Sequence, residues 1–209
     1  WKINADGSGA VLLADLENNV ENPHFSPDGT KIIFIYEGKI WQMDADGSNQ
    51  VDLGILEYTE RARFAPDGSK IVFSSNSEIY TANSDGTNVT KIIDDDVVQY
   101  ELNIPEYSPD GAKLLMECRG IGPNSGINIC TSNADGTGFA PLLGNILERQ
   151  SPVWSPDSSA VGFIARNSAT NQYGLYTAVL GQQPELVYTD PYGAILHYLA
   201  WQPDCTLTS

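Results

Sequence analysis

Apolar and polar residues alternate in short runs along most of the chain. "KIIFI" from Lys31, "KIVFS" from Lys70, "EIYTA" from Glu78 and "GLYTA" from Gly174 are typical, and each run stops at Gly, Asp, Asn or Pro. Alternation with a period of two over four to eight residues, bounded by turn formers, is the signal of a half-buried β-strand. No segment competes with a helical period. The runs fall into groups of four. The first of each group ends on an aromatic residue, expected to be core between neighbouring groups: Phe25, Phe64, Tyr107, Trp154 and Trp201. The second follows a Pro-Asp turn, the third carries Trp41, Tyr80 or Tyr176 near its centre, and the fourth is "VDLG" from Val51, "TKII" from Thr90, "APLLG" from Ala140 or "ELVY" from Glu185.

Two phrases punctuate the groups. "FSPDGTKIIF" from Phe25 returns as "FAPDGSKIVF" from Phe64, "YSPDGAKLLM" from Tyr107 and "WSPDSSAVGF" from Trp154, and begins again as "WQPDCTLTS" from Trp201. The second phrase is "NADGSG" from Asn4, "DADGSN" from Asp44, "NSDGTN" from Asn83 and "NADGTG" from Asn133. The aspartates of the first phrase, Asp28, Asp67, Asp110, Asp157 and Asp204, are spaced 39, 43, 47 and 47 residues apart. Pro presets φ, Asp bonds its local backbone and Gly takes the positive-φ position, so both phrases read as hairpin turns. Four-stranded units of this period predict an all-β fold, a β-propeller of four-stranded antiparallel blades. The expected blades are 22–54, 61–94, 104–144, 151–189, and a fifth assembled from 196–209 plus 1–14, so that both termini close a single-domain ring of five. A slice of a longer propeller is the rival reading. An unpaired half-blade would expose strand edges, which favours closure.

The phrase of aromatic, Ser/Ala, Pro, Asp, Gly, followed by the Asp-Gly turn in step, resembles the WD40-like Pro-Asp repeat of TolB-like propellers and of propellers attached to some peptidases. The resemblance covers nearly the whole chain. It departs at Ser158, which replaces the turn glycine, and at Cys205. It implies protein partners and a periplasmic or extracellular location. The peptidases carry their catalytic residues on a separate domain, which these 209 residues do not contain.

Charge narrows the function classes. The chain carries 11 Lys and Arg against 27 Asp and Glu, a net charge of −16. That argues against nucleic acid, whose phosphates need basic side chains, and against anionic membrane surfaces. It suits a basic partner or a cation. No apolar run reaches the roughly 20 residues of a spanning helix, so no membrane insertion is expected. No signal peptide is visible within the chain; Trp1 already lies inside the repeat pattern. Cys118 and Cys130 flank a Gly/Pro/Asn-rich turn; a disulfide across that hairpin and two buried thiols are both open, and Cys205 is left over.

Two histidines, no Gly-x-Ser-x-Gly elbow and no phosphate-binding loop leave an enzyme little to work with, so a non-catalytic module is expected. Paired channel carboxylates, Glu106 with Glu21 or Glu60, would be the way back to a hydrolase. No cofactor is expected. Calcium is the metal left open, at the acidic turns (Asp44, Asp46) or at Asp94, Asp95 and Asp96, a run that otherwise reads as a solvated loop, although none of these segments supplies the closing bidentate Glu of an EF-hand. What does not repeat is more informative. Just before each first-strand aromatic stand His24, Arg63, Glu106, Val153 and Ala200, with Glu21, Asn22, Glu60, Arg61, Asn103, Arg149, Gln150, His197 and Tyr198 upstream. Alternation places them at a central channel and its mouth, where loops on a rigid scaffold bind ligands. The alternative is that they solvate the channel and pair with one another. The expected function is a protein-binding or scaffolding propeller of the bacterial cell envelope or exterior. A lectin-like or small-ligand binder at the channel mouth, and a structural subunit of a larger assembly, are the alternatives.

Overall fold

The computed structural model describes residues 2–4, 6–16, 19–120, 127–146, 152–166, 172–182 and 184–189. Within them lie four antiparallel sheets of four strands, each in sequence order. The first blade is β1 (Val20–Phe25), β2 (Lys31–Tyr36), β3 (Lys39–Asp44) and β4 (Val51–Asp52). The second is β5 (Thr59–Phe64), β6 (Lys70–Ser75), β7 (Glu78–Asn83) and β8 (Thr90–Ile93). A short helix, α1 (Asp95–Val98), leads to the third: β9 (Tyr100–Tyr107), β10 (Lys113–Gly120), β11 (Ile127–Asn133) and β12 (Ala140–Ile146). The fourth is β13 (Val153–Trp154), β14 (Ala160–Arg166), β15 (Tyr173–Val179) and β16 (Glu185–Thr189). Helix α1 corrects the expectation of a plain loop at the aspartate triplet: Asp94 is its N-cap and accepts from the Asp96 N–H.

The first phrase turns the chain from each inner strand to the next by its own side chains. Asp28 Oδ1 accepts from the Ser26 hydroxyl at 2.6 Å and from the Thr30 N–H at 3.0 Å. Asp110 does the same with Ser108 and Ala112, and Asp157 with Ser155 and Ser159. These bonds favour the charged carboxylate, and Asp157 is lowered to about 2, chiefly by the Ser155 hydroxyl. The glycine of the phrase sits at positive φ (70° at Gly29), and Ser158 occupies the same region at 62°. Its hydroxyl receives a hydrogen bond from the Asp110 N–H at 3.0 Å, joining neighbouring turns.

The second phrase locks blades together. A Cβ placed on the backbone of Gly86 would lie 2.6 Å from the Leu53 carbonyl oxygen of the preceding blade. Gly47 meets the Leu13 carbonyl and Gly136 the Ile92 carbonyl more closely still. Only a residue without Cβ lets the turn approach that strand. Leu13 belongs to the N-terminal segment. Its Lys2↔Val11 bridge has the register of Gln42↔Val51, Thr81↔Thr90 and Thr131↔Ala140 in the blades. The described part of 1–14 therefore forms the outer half of a blade packed before the first. The strands expected to complete it, 196–209, lie outside the described residues.

The core lies within and between the blades. Phe34 and Trp41, Phe73 and Tyr80, and Phe163 and Tyr176 are cross-strand partners, and the last two pairs stack at 5.6 and 5.5 Å between centroids. The third blade has Met116 opposite Cys130 at that place. Cys130 instead bonds to Cys118, Cα–Cα 5.9 Å, so a cystine replaces the aromatic pair. Phe64, Tyr107 and Trp154 are buried between blades as expected. Phe25 corrects that expectation at 46% exposure: Lys2 Nζ stands 5.9 Å from its ring, and only the outer half of the preceding unit is described.

Candidate functional site

The inner strands β1, β5 and β9 lie side by side and carry the blade-specific residues. Each is interrupted by a bulge: the register shifts between Glu21 and His24, between Thr59 and Arg61, and opposite Leu115 and Glu117. Asn22 and Ile104, each followed by Pro, take φ of 51° and 58° there. An isoleucine in this region is strained, and a bulge re-aims the side chains beside it.

Below the bulges, His24, Arg63 and Glu106 form one tier across three blades, all partly buried. His24 Nδ1 accepts from the Phe64 N–H at 3.4 Å, and burial, then Arg63, lowers its pKa to about 4. Burial lowers Arg63, with Arg61 adding to that and Glu106 opposing it. Burial raises Glu106, while Arg63 and Arg61 act the other way. The charges acting on Glu106 are thus those of two arginines. Above them is a second tier. The Asn22 amide donates to the Glu60 carbonyl at 2.8 Å, and the Asn103 amide donates to Glu60 Oε2 at 3.3 Å. The structure thus brings together Glu21, Asn22, His24, Glu60, Arg61, Arg63, Asn103 and Glu106. Arg149, Gln150, His197 and Tyr198 lie outside the described residues.

Beside the upper tier is a depression of about 630 Å³ lined by Asn19, Glu21, Asn22, Glu37, Gly38, Thr59 and Glu60. The sequence pattern does not single out Glu37, Gly38 or Thr59. Their signal is the hairpin between second and third strands, whose Gly38 carbonyl accepts from the Thr59 N–H at 2.9 Å. Ser77 and Leu102 repeat that bond one blade later, so these hairpins cap the next blade's inner strand. Tyr58 projects beside it at 72% exposure.

Several of the acidic candidates have partners within the protein. Lys91 Nζ bridges Glu78 and Asp94 at 2.7 Å each, in the one triad of described carboxylates spaced for a metal, Glu78, Asp94 and Asp95. The ammonium thus pairs with two of the three carboxylates of that triad. Asp44 pairs with Lys31 at 2.5 Å and accepts from Asn49, while Asp46 closes its own turn on Ser48.

Four sheets of four antiparallel strands, joined in sequence order around inner strands, define a β-propeller scaffold. TolB from Acinetobacter baumannii has a similar structure, with a TM-score of 0.67 at 16% identity over 90% of this chain and 48% of that one. So does a chain of the nidogen/laminin complex, at 0.62 and 17% over 81% and 64%. A third is the β-propeller domain of the trilobed protease from Pyrococcus furiosus, at 0.58 and 15% over 81% and 57%. The chain spans about half the length of that TolB. At such identities the likeness is one of fold alone. No protein-family model matches the chain, and no curated protein does.

Proposed function

We propose that this chain is a non-catalytic binding propeller that presents its inner-strand face to a protein partner in the bacterial cell envelope or exterior. The observation that carries the reading is the two-tier cluster. Residues that differ from blade to blade converge at one end of an otherwise repetitive scaffold, next to the depression lined by Glu21, Glu37 and Glu60. Carboxylates at that mouth and a net charge of −16 favour a partner with a basic patch, steered by long-range attraction. Tyr58, exposed beside them, is the kind of side chain that anchors interfaces. The cystine fits an oxidising compartment. No helix among the described residues is long and apolar enough to cross a membrane.

The experiment is affinity capture from envelope extract with wild-type protein, with the charge-reversed pair Glu21→Lys and Glu60→Lys, and with Glu185→Lys on β16 as control. Capture of a defined protein that the pair abolishes and the control leaves intact is expected. Capture that survives the pair, or is lost equally with the control, overturns the reading.

A further inference from the structure

At the end opposite the inner-strand mouth, equivalent clefts open between successive blades. The first, about 600 Å³, lies between the turn of Asp28 and the phrase from Phe64. The second, about 870 Å³, lies between the turn of Asp67 and the phrase from Tyr107. The scaffold is the same, so the first serves as a control for the second.

The first cleft is satisfied by its own residues. Gln42 crosses it and donates to the Ser84 carbonyl at 3.0 Å, as Lys2 does to the Ala45 carbonyl one unit earlier. Lys31 is paired with Asp44. Its floor aromatic is Phe64, which has no polar atom. In the second cleft all three features change together. Thr81 stands where Gln42 stood and is too short to reach Ala134. Asn83 replaces Asp44, and the Lys70 ammonium makes no ion pair or hydrogen bond among the described residues, although its charge acts on Asp67 through space. Tyr107 replaces Phe64. This tyrosine is only 8% exposed, lines the cleft, and has no hydrogen-bond partner for its hydroxyl among the described residues. Burial, then Asp67, raises its pKa to about 12, so the phenol keeps its proton. The ring is buried but the hydroxyl keeps contact with solvent, so an occupant of the cleft would take the place of water as its partner.

The occupant's chemistry follows from the lining. Asp67, Asp110 and Asp135 repel an anion. Asp110 and Asp135 each spend one oxygen on their own turns, leaving the second to accept. Lys70 and Tyr107 donate, the Thr81 hydroxyl can do either, and the Ser69 and Thr90 hydroxyls, which already donate to Asp67 and to the Asn88 carbonyl, can accept. An apolar ligand would strand all of these groups, and a simple cation would leave Lys70 and Tyr107 without acceptors. Hydroxyl groups both donate and accept, and the volume lies within the roughly 300–1,000 Å³ of small-ligand sites. We propose that the cleft between the second and third blades is a carbohydrate subsite, holding one pyranose residue through Lys70, Tyr107 and the carboxylates of Asp110 and Asp135.

The test is amide chemical-shift titration of the ¹⁵N-labelled protein with glucose, galactose and N-acetylglucosamine in turn, with spermidine and inorganic phosphate as charged comparisons. Saturable shifts are expected with at least one sugar, confined to residues around Ser69, Thr81, Gly111 and Ala134. Thr81→Gln installs the neighbouring cleft's sealing residue and should weaken binding at least about tenfold while leaving distant amides unmoved. Tyr107→Phe, which removes one hydroxyl, should weaken it by a similar factor. No saturable shift with any sugar, shifts that both variants leave intact, or spermidine occupying the cleft in place of sugars would each overturn the proposal.

Discussion

The clearest quantitative test is a pair of glycine substitutions at equivalent turns. Gly86 and Gly7 share the Asp-Gly turn and nearly the same backbone, φ 88° and 81°. They differ in their surroundings: a Cβ on Gly86 meets the Leu53 carbonyl oxygen at 2.6 Å and Leu53 Cβ at 3.1 Å, whereas one on Gly7 meets nothing within 4 Å among the described residues. Gly7→Ala should therefore cost only the left-handed backbone, about 1–2 kcal/mol. Gly86→Ala carries that cost and must also push a turn away from the preceding blade by several tenths of an ångström, an overpacking cost of about 1–3 kcal/mol. The expected total is about 2–5 kcal/mol. In a domain of this size each kcal/mol moves Tm by about 2–4 °C. Urea melts of both variants, followed by circular dichroism, measure the difference. If the two midpoints agree within about 0.5 kcal/mol, the seat is not a stabilising contact and the account of how blades lock is wrong.

Other outcomes follow from the same geometry. Reducing the Cys118–Cys130 bond, which spans 12 residues, should cost about 3 kcal/mol, seen as a lower Tm in dithiothreitol that a Cys118→Ala/Cys130→Ala variant reproduces without reductant. The turn aspartates have folded-state pKa values below their unfolded ones, with Asp157 lowered to about 2 from 3.8. Their stabilisation is present above pH 3.8 and is lost as pH falls towards 2, so Tm should drop steeply there. His24, lowered to about 4 from 6.5, adds an earlier loss as pH falls between those values, and His24→Gln should remove that step from the pH–Tm curve. Ser158→Gly relieves a positive φ but loses the bond from Asp110, so stability should change by less than about 1 kcal/mol. Ser158→Ala loses the bond without the relief and should be the less stable of the two in the same melt.

The turns were legible because Pro, Asp and Gly act on their own backbone: the chemistry that writes Asp28 between Ser26 and Thr30 is complete within five residues. The in-step spacing then announced blades. The inner tier was half legible. Alternation placed His24, Arg63 and Glu106 together, but the bulges at Asn22 and Ile104 change the aim of the tier above and depend on pairing with β2 and β10. The clefts could not be read at all, because Gln42 and Thr81 differ in consequence only once aligned across a gap to Ser84 and Ala134. The role of Gly86 was hidden likewise: locally its glycine serves a turn, and the residue it must avoid, Leu53, belongs to another blade. Nor did the aspartate triplet announce a helix, since α1 is a single turn held by one cap and too short for any period.

The seat beneath each Asp-Gly turn gives the blades a polarity. One flank offers a tooth without a side chain, and the other a strand whose carbonyl receives it. Such a joint cannot be made between two identical flanks, so blades add only head to tail, each new one reading the one before. A row built that way has no natural midpoint and no two-fold axis. It grows in one sense until its own last receiving strand meets its own first tooth, or until a tooth from another chain arrives first.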